Sequence, residues 1–402
     1  MPVVRSTLVP ALAVLLSTSA AVAMDSSSVQ IHGFASQGYL YTPGDNTFLS
    51  PNSNNSGTYD FNEFAVNFGA NPIDRLHVGA QLFASTLGKY GKDKVQLDWG
   101  YGEYQVPTGS DLVDVSVLAG RIKMGHGLYN DYRDLDMTRT SVFLPTAVYN
   151  VPFRDVMLAV NGVGTNLTLH PSKLGNFQLY AYLGGQNLEK DGPIADAFLN
   201  PANGVDGVES ATVRRVNGLS LTWETPLEGL KLKGSFEQAN EVAINGFHTI
   251  APPVAGNPVV KLPITYLLPN YYSTIAGFEY QTGNLTLASE YSFTQAHIFA
   301  DYSALGAGVQ ESSLHEQGLY GTASYRFLER WEGLLGQSWD HESDAANTVA
   351  SRTVSTIVAL RCDITDHWLV KAEFQRNKGT HLATTGTEEY WNVFALKTTF
   401  DF

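Results

Sequence analysis

Within residues 124–155 lie Asp131, Arg133, Asp134, Asp136, Arg139, Arg154 and Asp155, and Arg121 and Lys123 immediately precede them. Carboxylates and cations at this irregular spacing form neither a nucleophile nor a metal cage. They can form an electric field. Acids on one side of a narrow wet space, facing cations on the other, sort ions by sign. The facing charges would come from Lys231, Lys233, Glu290, Arg326, Arg361, Lys371 and Lys397, which sit in segments of alternating polarity. The competing reading is that the charges pair with one another and only hold a loop in shape.

Bond-making chemistry has less support. The ten His residues are scattered, with no H-x-H or H-E-x-x-H spacing for zinc. His126 and His297 read as ordinary loop or inward-facing residues. Asp131, Asp134 and Asp136 could share a Ca²⁺, as could Asp340, Glu342 and Asp344, but neither set follows the EF-hand spacing. No G-x-S-x-G occurs and no Ser/His/acid set can be assembled from spacing. Cys362 is the only cysteine, which excludes an intramolecular disulfide, and it reads as a small strand residue. No cofactor and no catalytic group is expected.

The elements that would position these charges are strands. Period-2 alternation marks about sixteen, near 29–41, 59–70, 75–86, 94–106, 112–123, 156–170, 174–186 and 212–224. The others lie near 229–242, 271–281, 284–297, 313–327, 331–341, 350–361, 367–377 and 388–402. Tight turns such as Asn71-Pro72-Ile73-Asp74, Pro107-Thr108-Gly109-Ser110 and Thr282-Gly283 alternate with longer polar connections. Seven short turns and eight long loops fit an even, closed sheet with both chain ends at the short-turn side.

Alternation separates two solvents. Phe64, Val66 and Phe68 oppose Glu63, Ala65 and Asn67. Leu219, Leu221 and Trp223 oppose Arg214, Ser220, Thr222 and Glu224. Leu285, Leu287 and Tyr291 oppose Thr286, Glu290 and Thr294, and Trp368, Val370, Ala372 and Phe374 oppose Lys371, Glu373 and Gln375. Arg or Lys on a lipid face costs ~2–4 kcal/mol near the bilayer centre, so the charged face belongs inside, around water. A soluble β-sandwich or β-helix would show the same local pattern.

The front of the chain separates these alternatives. Arg5, the apolar run 8–16 and Ala21-Val22-Ala23 before Met24 read as a secretory signal peptide over 1–23, leaving 24–402 as one domain. Removing 1–23 takes away Arg5 and no acid. The 25 basic residues become 24 against 39 acids, a net charge of −15, which argues against nucleic acid as a partner. Mean hydropathy is near zero at −0.10, as expected where only alternate residues meet lipid.

The last strand, with Phe394, Leu396, Phe400 and Phe402 on one side and Trp391, Ala395, Lys397 and Asp401 on the other, resembles the end of Gram-negative outer-membrane β-barrels. Gly33-Phe34-Ala35-Ser36-Gln37-Gly38-Tyr39-Leu40, and Gly120-Arg121-Ile122-Lys123 followed by Gly127-Leu128-Tyr129-Asn130, resemble the bacterial porin superfamily. The resemblance implies an all-β, antiparallel up-and-down transmembrane barrel of about 16 strands that passes ions and small hydrophilic solutes. It implies a constriction loop after the fifth strand, here 124–155, with Arg121, Lys123, Asp131, Arg133, Asp134, Asp136 and Arg139 at the narrowing. Lys231, Lys233, Glu290, Arg326, Arg361, Lys371 and Lys397 would lie on the lumen wall. It further implies contact with outer-membrane lipid and lipopolysaccharide, handling by the barrel-assembly machinery, and a homotrimer. A solute-specific channel and, more remotely, an outer-membrane enzyme are the other readings. Acidic loops (Glu189, Asp191, Asp196, Asp206, Glu209, Asp301, Glu311, Glu316, Asp340, Glu342, Asp344) over the inner cations predict an acidic outer mouth above a basic vestibule.

Overall fold

The computed structural model describes residues 29–402 apart from 89, 92–93, 191, 193–197, 200–203, 251–258 and 344–347. The expected signal peptide and its cleavage site lie outside the described residues. Alternation produces the strands: β1 (Val29–Tyr41), β2 (Phe61–Ile73), β3 (Leu76–Leu87), β4 (Gln96–Val106), β5 (Val113–Lys123), β6 (Ala159–Leu169), β7 (Asn176–Leu188) and β8 (Gly207–Glu224). Then follow β9 (Leu230–Ile250), β10 (Val260–Thr282), β11 (Leu285–Tyr302), β12 (Gly308–Leu328), β13 (Trp331–Glu342), β14 (Arg352–Thr365), β15 (Trp368–Lys378) and β16 (Tyr390–Asp401). Every strand pairs antiparallel with its sequence neighbours, and β1 closes on β16 from Phe34↔Asp401 to Tyr41↔Phe394. Closure leaves no unpaired edge.

A belt of large apolar side chains faces outward. Leu335 is 65% exposed, and Phe64, Leu219, Leu221, Phe394, Leu396 and Phe400 are all exposed as well. A continuous apolar surface of this extent needs an apolar solvent. The inward partners Lys371, Glu373, Gln375, Lys397 and Thr399 are buried. Leu335→Arg, a cation placed in the belt, is therefore expected to destabilise the barrel by ~2–4 kcal/mol, read from urea unfolding in lipid vesicles. An unchanged midpoint would contradict a lipid-facing belt.

Three expectations need correction. First, β9 and β10 run to Ile250 and from Val260, so most of the long loop expected between 242 and 271 is strand. Likewise only 303–307 connect β11 to β12. The five strands β8–β12 have 18 to 23 residues, about twice the 9–11 that cross a bilayer. Their upper halves stand clear of hydrocarbon, where alternation has no lipid to report. Second, β6 begins at Ala159, because a short helical turn Arg154–Leu158 ends the preceding loop. Third, Arg214 does not keep the inward register. On β7, Gly184 pairs with Val216 and Gln186 with Val213, so Arg214 and Arg215 together oppose Gly185 in a bulge, and Glu241 of β9 faces Arg214. Glu241 there adopts φ +52°, and the two exposed side chains pair at 2.7 Å.

Candidate functional site: a loop anchored across the barrel

The chain leaves β5 at Lys123, turns into the lumen and returns at Ala159. Its polar groups are satisfied by side chains from distant strands. On one wall, β9 and β11 supply carboxylates. His126 Nδ1 lies 2.9 Å from Glu237 Oε2. Glu290 accepts from the Leu128 amide at 2.6 Å, the Tyr149 hydroxyl at 2.6 Å and the Tyr320 hydroxyl at 2.6 Å. Gly127 makes this approach possible. It has φ +58°, and a Cβ there would sit 2.4 Å from the Tyr149 hydroxyl and 2.7 Å from Glu290 Oε1.

The opposite wall holds the middle of the loop. Asp136 is 1% exposed. It meets Arg139 at 2.9 Å, Lys371 at 3.3 Å and Lys397 at 2.7 Å, and accepts from the Thr399 hydroxyl at 2.8 Å. Burial alone would raise this carboxyl, but Lys397, Lys371 and Arg139 outweigh it and hold it well below the usual carboxylate range. Lys397 also pairs with Glu63. Lys371 donates to the Ser141 carbonyl at 3.0 Å, and Arg361 to the Met137 carbonyl at 2.7 Å. Glu373 accepts from the amides of Val142 at 2.6 Å and Phe143 at 3.3 Å. Phe143 stacks on Phe61 with centroids 5.4 Å apart, inside a cluster with Phe48, Val142 and Trp391.

The returning arm is held by Arg154. Its guanidinium forks onto Asp98, 2.9 Å to each oxygen, also binds Asp134, and lies 4.1 Å over the Phe83 ring.

Of the charges expected at the site, Asp136, Arg139, Arg361, Lys371 and Lys397 are thus brought together, and Glu290 holds the far wall. Asp134 binds Arg154. Lys123 donates to the Asp131 carbonyl, and the Asp131 carboxylate is 3.7 Å from Lys233. Buried Arg133 donates to Asn130 Oδ1 at 3.3 Å, and Arg121 to the Asp98 carbonyl at 2.7 Å. Lys231 pairs with Glu279 at 2.9 Å, and Arg326 with Asp363 at 2.8 Å and Glu332 at 2.9 Å, where Glu332 also accepts from the Thr140 hydroxyl of the loop and Asp363 from Arg361. Most of these charges are paired. The anchors not singled out from sequence are Asp98, Glu237, Tyr149 and Tyr320. Glu63 and Glu373 were already marked as inward by strand parity.

Between the loop and the β7–β12 wall lies a cavity of about 260 Å³. Its lining is mainly apolar, including Met124, Phe153, Val216, Leu268 and Ile298, with His126, Glu237, Tyr271 and Glu316 as its charged or titratable groups.

No protein-family model matches the sequence, and no curated protein matches it. Solved structures do match. The outer membrane channel DcaP of Acinetobacter baumannii superposes with a TM-score of 0.54 at 10% identity, over 94% of this chain and 99% of that one. The anion-selective porin from Comamonas acidovorans gives 0.52 at 11% identity, over 93% and 99%. OmpT of Vibrio cholerae in its trimer form gives 0.52 at 12% identity, over 93% and 99%. Sixteen antiparallel strands in a closed ring, an inward-folded loop after the fifth, and likeness across nearly the whole chain together give this protein the fold of the bacterial outer-membrane porins.

Proposed function

We propose that the chain is an outer-membrane porin, exported with loss of residues 1–23, whose water-filled lumen passes ions and small hydrophilic solutes by passive diffusion. No bond-making step is required. The loop 124–158 acts as the constriction, and the observation that carries this is its double anchoring, on Glu290 at one wall and on Lys371 and Lys397 at the other. The trimer form of the Vibrio OmpT match supports a homotrimer. The apolar belt is the surface that meets lipid, with lipopolysaccharide as the outer-leaflet partner, and the barrel-assembly machinery is the partner during insertion.

The charge pattern favours cations. Lys371 and Lys397 are neutralised by Asp136 and Glu63, so the basic vestibule adds little positive field. Asp206, Glu209, Asp301, Glu311, Asp340 and Glu342 stand at or next to the loop ends of their strands, and Glu316 lies within β12 level with the end of β13, whereas Asp191, Asp196 and Asp344 lie outside the described residues. Planar-bilayer recording across a KCl gradient should give a reversal potential of modest cation preference that shrinks as salt rises. Strong anion selectivity would remove the acidic mouth, and absence of any conductance would remove the channel.

The apolar cavity favours a second reading, a channel with preference for solutes carrying an apolar body. Such a solute should block current at concentrations where a sugar of equal size does not.

A further inference from the structure

Where β12, β13 and the loop 379–389 meet, the acids crowd together. Glu316 and Glu342 are directly opposite each other across the β12–β13 ladder, an arrangement that costs energy unless a cation intervenes. Asp340 follows two residues before Glu342 on the same face and is 1% exposed. Neither of its carboxylate oxygens has a hydrogen-bond partner. A buried carboxylate left this way is costly. Among the described residues, no Lys or Arg forms an ion pair with Glu316, Asp340 or Glu342. Thr353, opposite Asp340 on β14, is engaged with the Leu382 amide at 3.0 Å.

The third group is His381. Its Nε2 lies 3.0 Å from Asp340 Oδ1 and 3.6 Å from Glu316 Oε1, and one ligand atom from each of the three residues falls within 4.8 Å of the others. Two ligand atoms ~2.1 Å from a tetrahedral zinc are roughly 3.4 Å apart, close to both spacings. The other ring nitrogen, Nδ1, is 3.3 Å from the Ala350 carbonyl. This is the outer-shell contact that fixes a metal-binding imidazole with Nε2 toward the ion. An imidazole with two carboxylates suits zinc-class transition ions, whereas Ca²⁺ prefers oxygen alone. The three residues are far apart in sequence and show no metal spacing. Local reading of the chain instead grouped Asp340 with Glu342 and Asp344 for Ca²⁺, and set that grouping aside because it lacks EF-hand spacing.

We propose that Glu316, Asp340 and His381 form a binding site for one divalent transition ion of the zinc class, on the lumen wall near the loop end of the barrel. Solvent completes the coordination. The ion takes the place of the His381 Nε2 proton as the countercharge facing Asp340 and Glu316, and ties the loop 379–389 to β12 and β13.

The test is calorimetric titration of the full folded chain in detergent, after chelator treatment, with ZnCl₂ and separately with CaCl₂. Wild type should bind one Zn²⁺ per chain and melt at higher temperature when loaded. Asp340→Asn and His381→Gln should each weaken Zn²⁺ at least tenfold and lose the melting shift, and Ca²⁺ should bind more weakly than Zn²⁺. Co²⁺ should give visible absorption bands of a four- or five-coordinate site in wild type and not in His381→Gln. Glu316→Gln provides a second carboxylate variant should Asp340→Asn fail to fold, with folding judged by heat-modifiable gel mobility. Zn²⁺ binding that is absent, or equally tight in the folded variants, overturns the site and leaves His381 as a protonated partner of two acids. Ca²⁺ binding tighter than Zn²⁺ overturns the assigned ion class.

Discussion

Asp136→Asn should release the loop and leave a noisier, more conductive channel. The substitution keeps the side-chain shape but leaves Lys371 and Lys397, both at most 2% exposed, without their shared carboxylate. Removing one partner of a buried ion pair typically costs ~3–5 kcal/mol. The sixteen ladders do not depend on Asp136, so that cost falls on the loop and the sheet should survive. The conductance expectation rests on the porin reading; the loss of loop anchorage rests only on the geometry. Single-channel recording reads the first, and protease cleavage within 124–158 of the detergent-folded protein reads the second. Conductance, noise and cleavage all equal to wild type would mean that this anchor does not hold the loop. In wild type the depressed Asp136 carboxyl binds its proton only far below the ordinary aspartate range. Its contribution is present at neutral pH and is lost only as pH falls through that low folded-state value. Wild-type conductance and protease resistance should therefore hold steady from pH 7 down to about 4.

Arg154→Met should give a defect of comparable size and opposite pH sense. It leaves Asp98, with a side chain 1% exposed, and Asp134, with a side chain 12% exposed, facing each other without the guanidinium that bonds to both. The expected cost is again ~3–5 kcal/mol. Here acidification helps, because the orphaned carboxylates can take up protons. The defect of Asp136→Asn instead eases as pH rises and Lys371, left without its carboxylate while Lys397 keeps Glu63, gives up its proton. Protease sensitivity measured from pH 4 to 10 should slope in opposite directions for the two variants. Parallel slopes would point to general mispacking in place of two electrostatic anchors. Arg154→Lys should rescue only in part, since a lysine cannot reproduce the fork onto both oxygens of Asp98.

The barrel was legible because lipid and water impose a period of two on each strand. Residues such as Phe64, Leu221 and Phe394 could be placed outward, and Glu290, Lys371 and Lys397 inward, from parity alone. The upper halves of β9 and β10 were not legible, since past the hydrocarbon the outer face meets water while Ile244, Ile264 and Tyr266 pack in a cluster with Val205 and Tyr302, and Pro263 and Asn270 carry no alternating signal. The Arg214 bulge shifts the register by one residue without changing composition, so parity read straight through it was wrong. The loop's charges were visible as a cluster, but their partners were not. Asp136 meets Lys371 and Lys397 only after the chain has run almost its whole length, and Arg154 meets Asp98 only because β4 sits beneath the returning arm. Spacing along a chain reports neighbours on one strand and is silent about contacts across a lumen.

The seam between β1 and β16 carries a kinetic consequence. Its ladder joins the two ends of the described chain, with Gly33 and Phe402 exchanging backbone bonds at 2.9 and 3.0 Å. Every other ladder forms between strands adjacent in sequence and can zip locally, but this one pairs the most distant segments and carries the largest chain-closure entropy. Until it forms, two open edges expose their amide and carbonyl groups in a medium that cannot hydrate them. Insertion should therefore end in a slow, all-or-none locking step, and a half-built cylinder should be the species most prone to pair with a neighbour's edge.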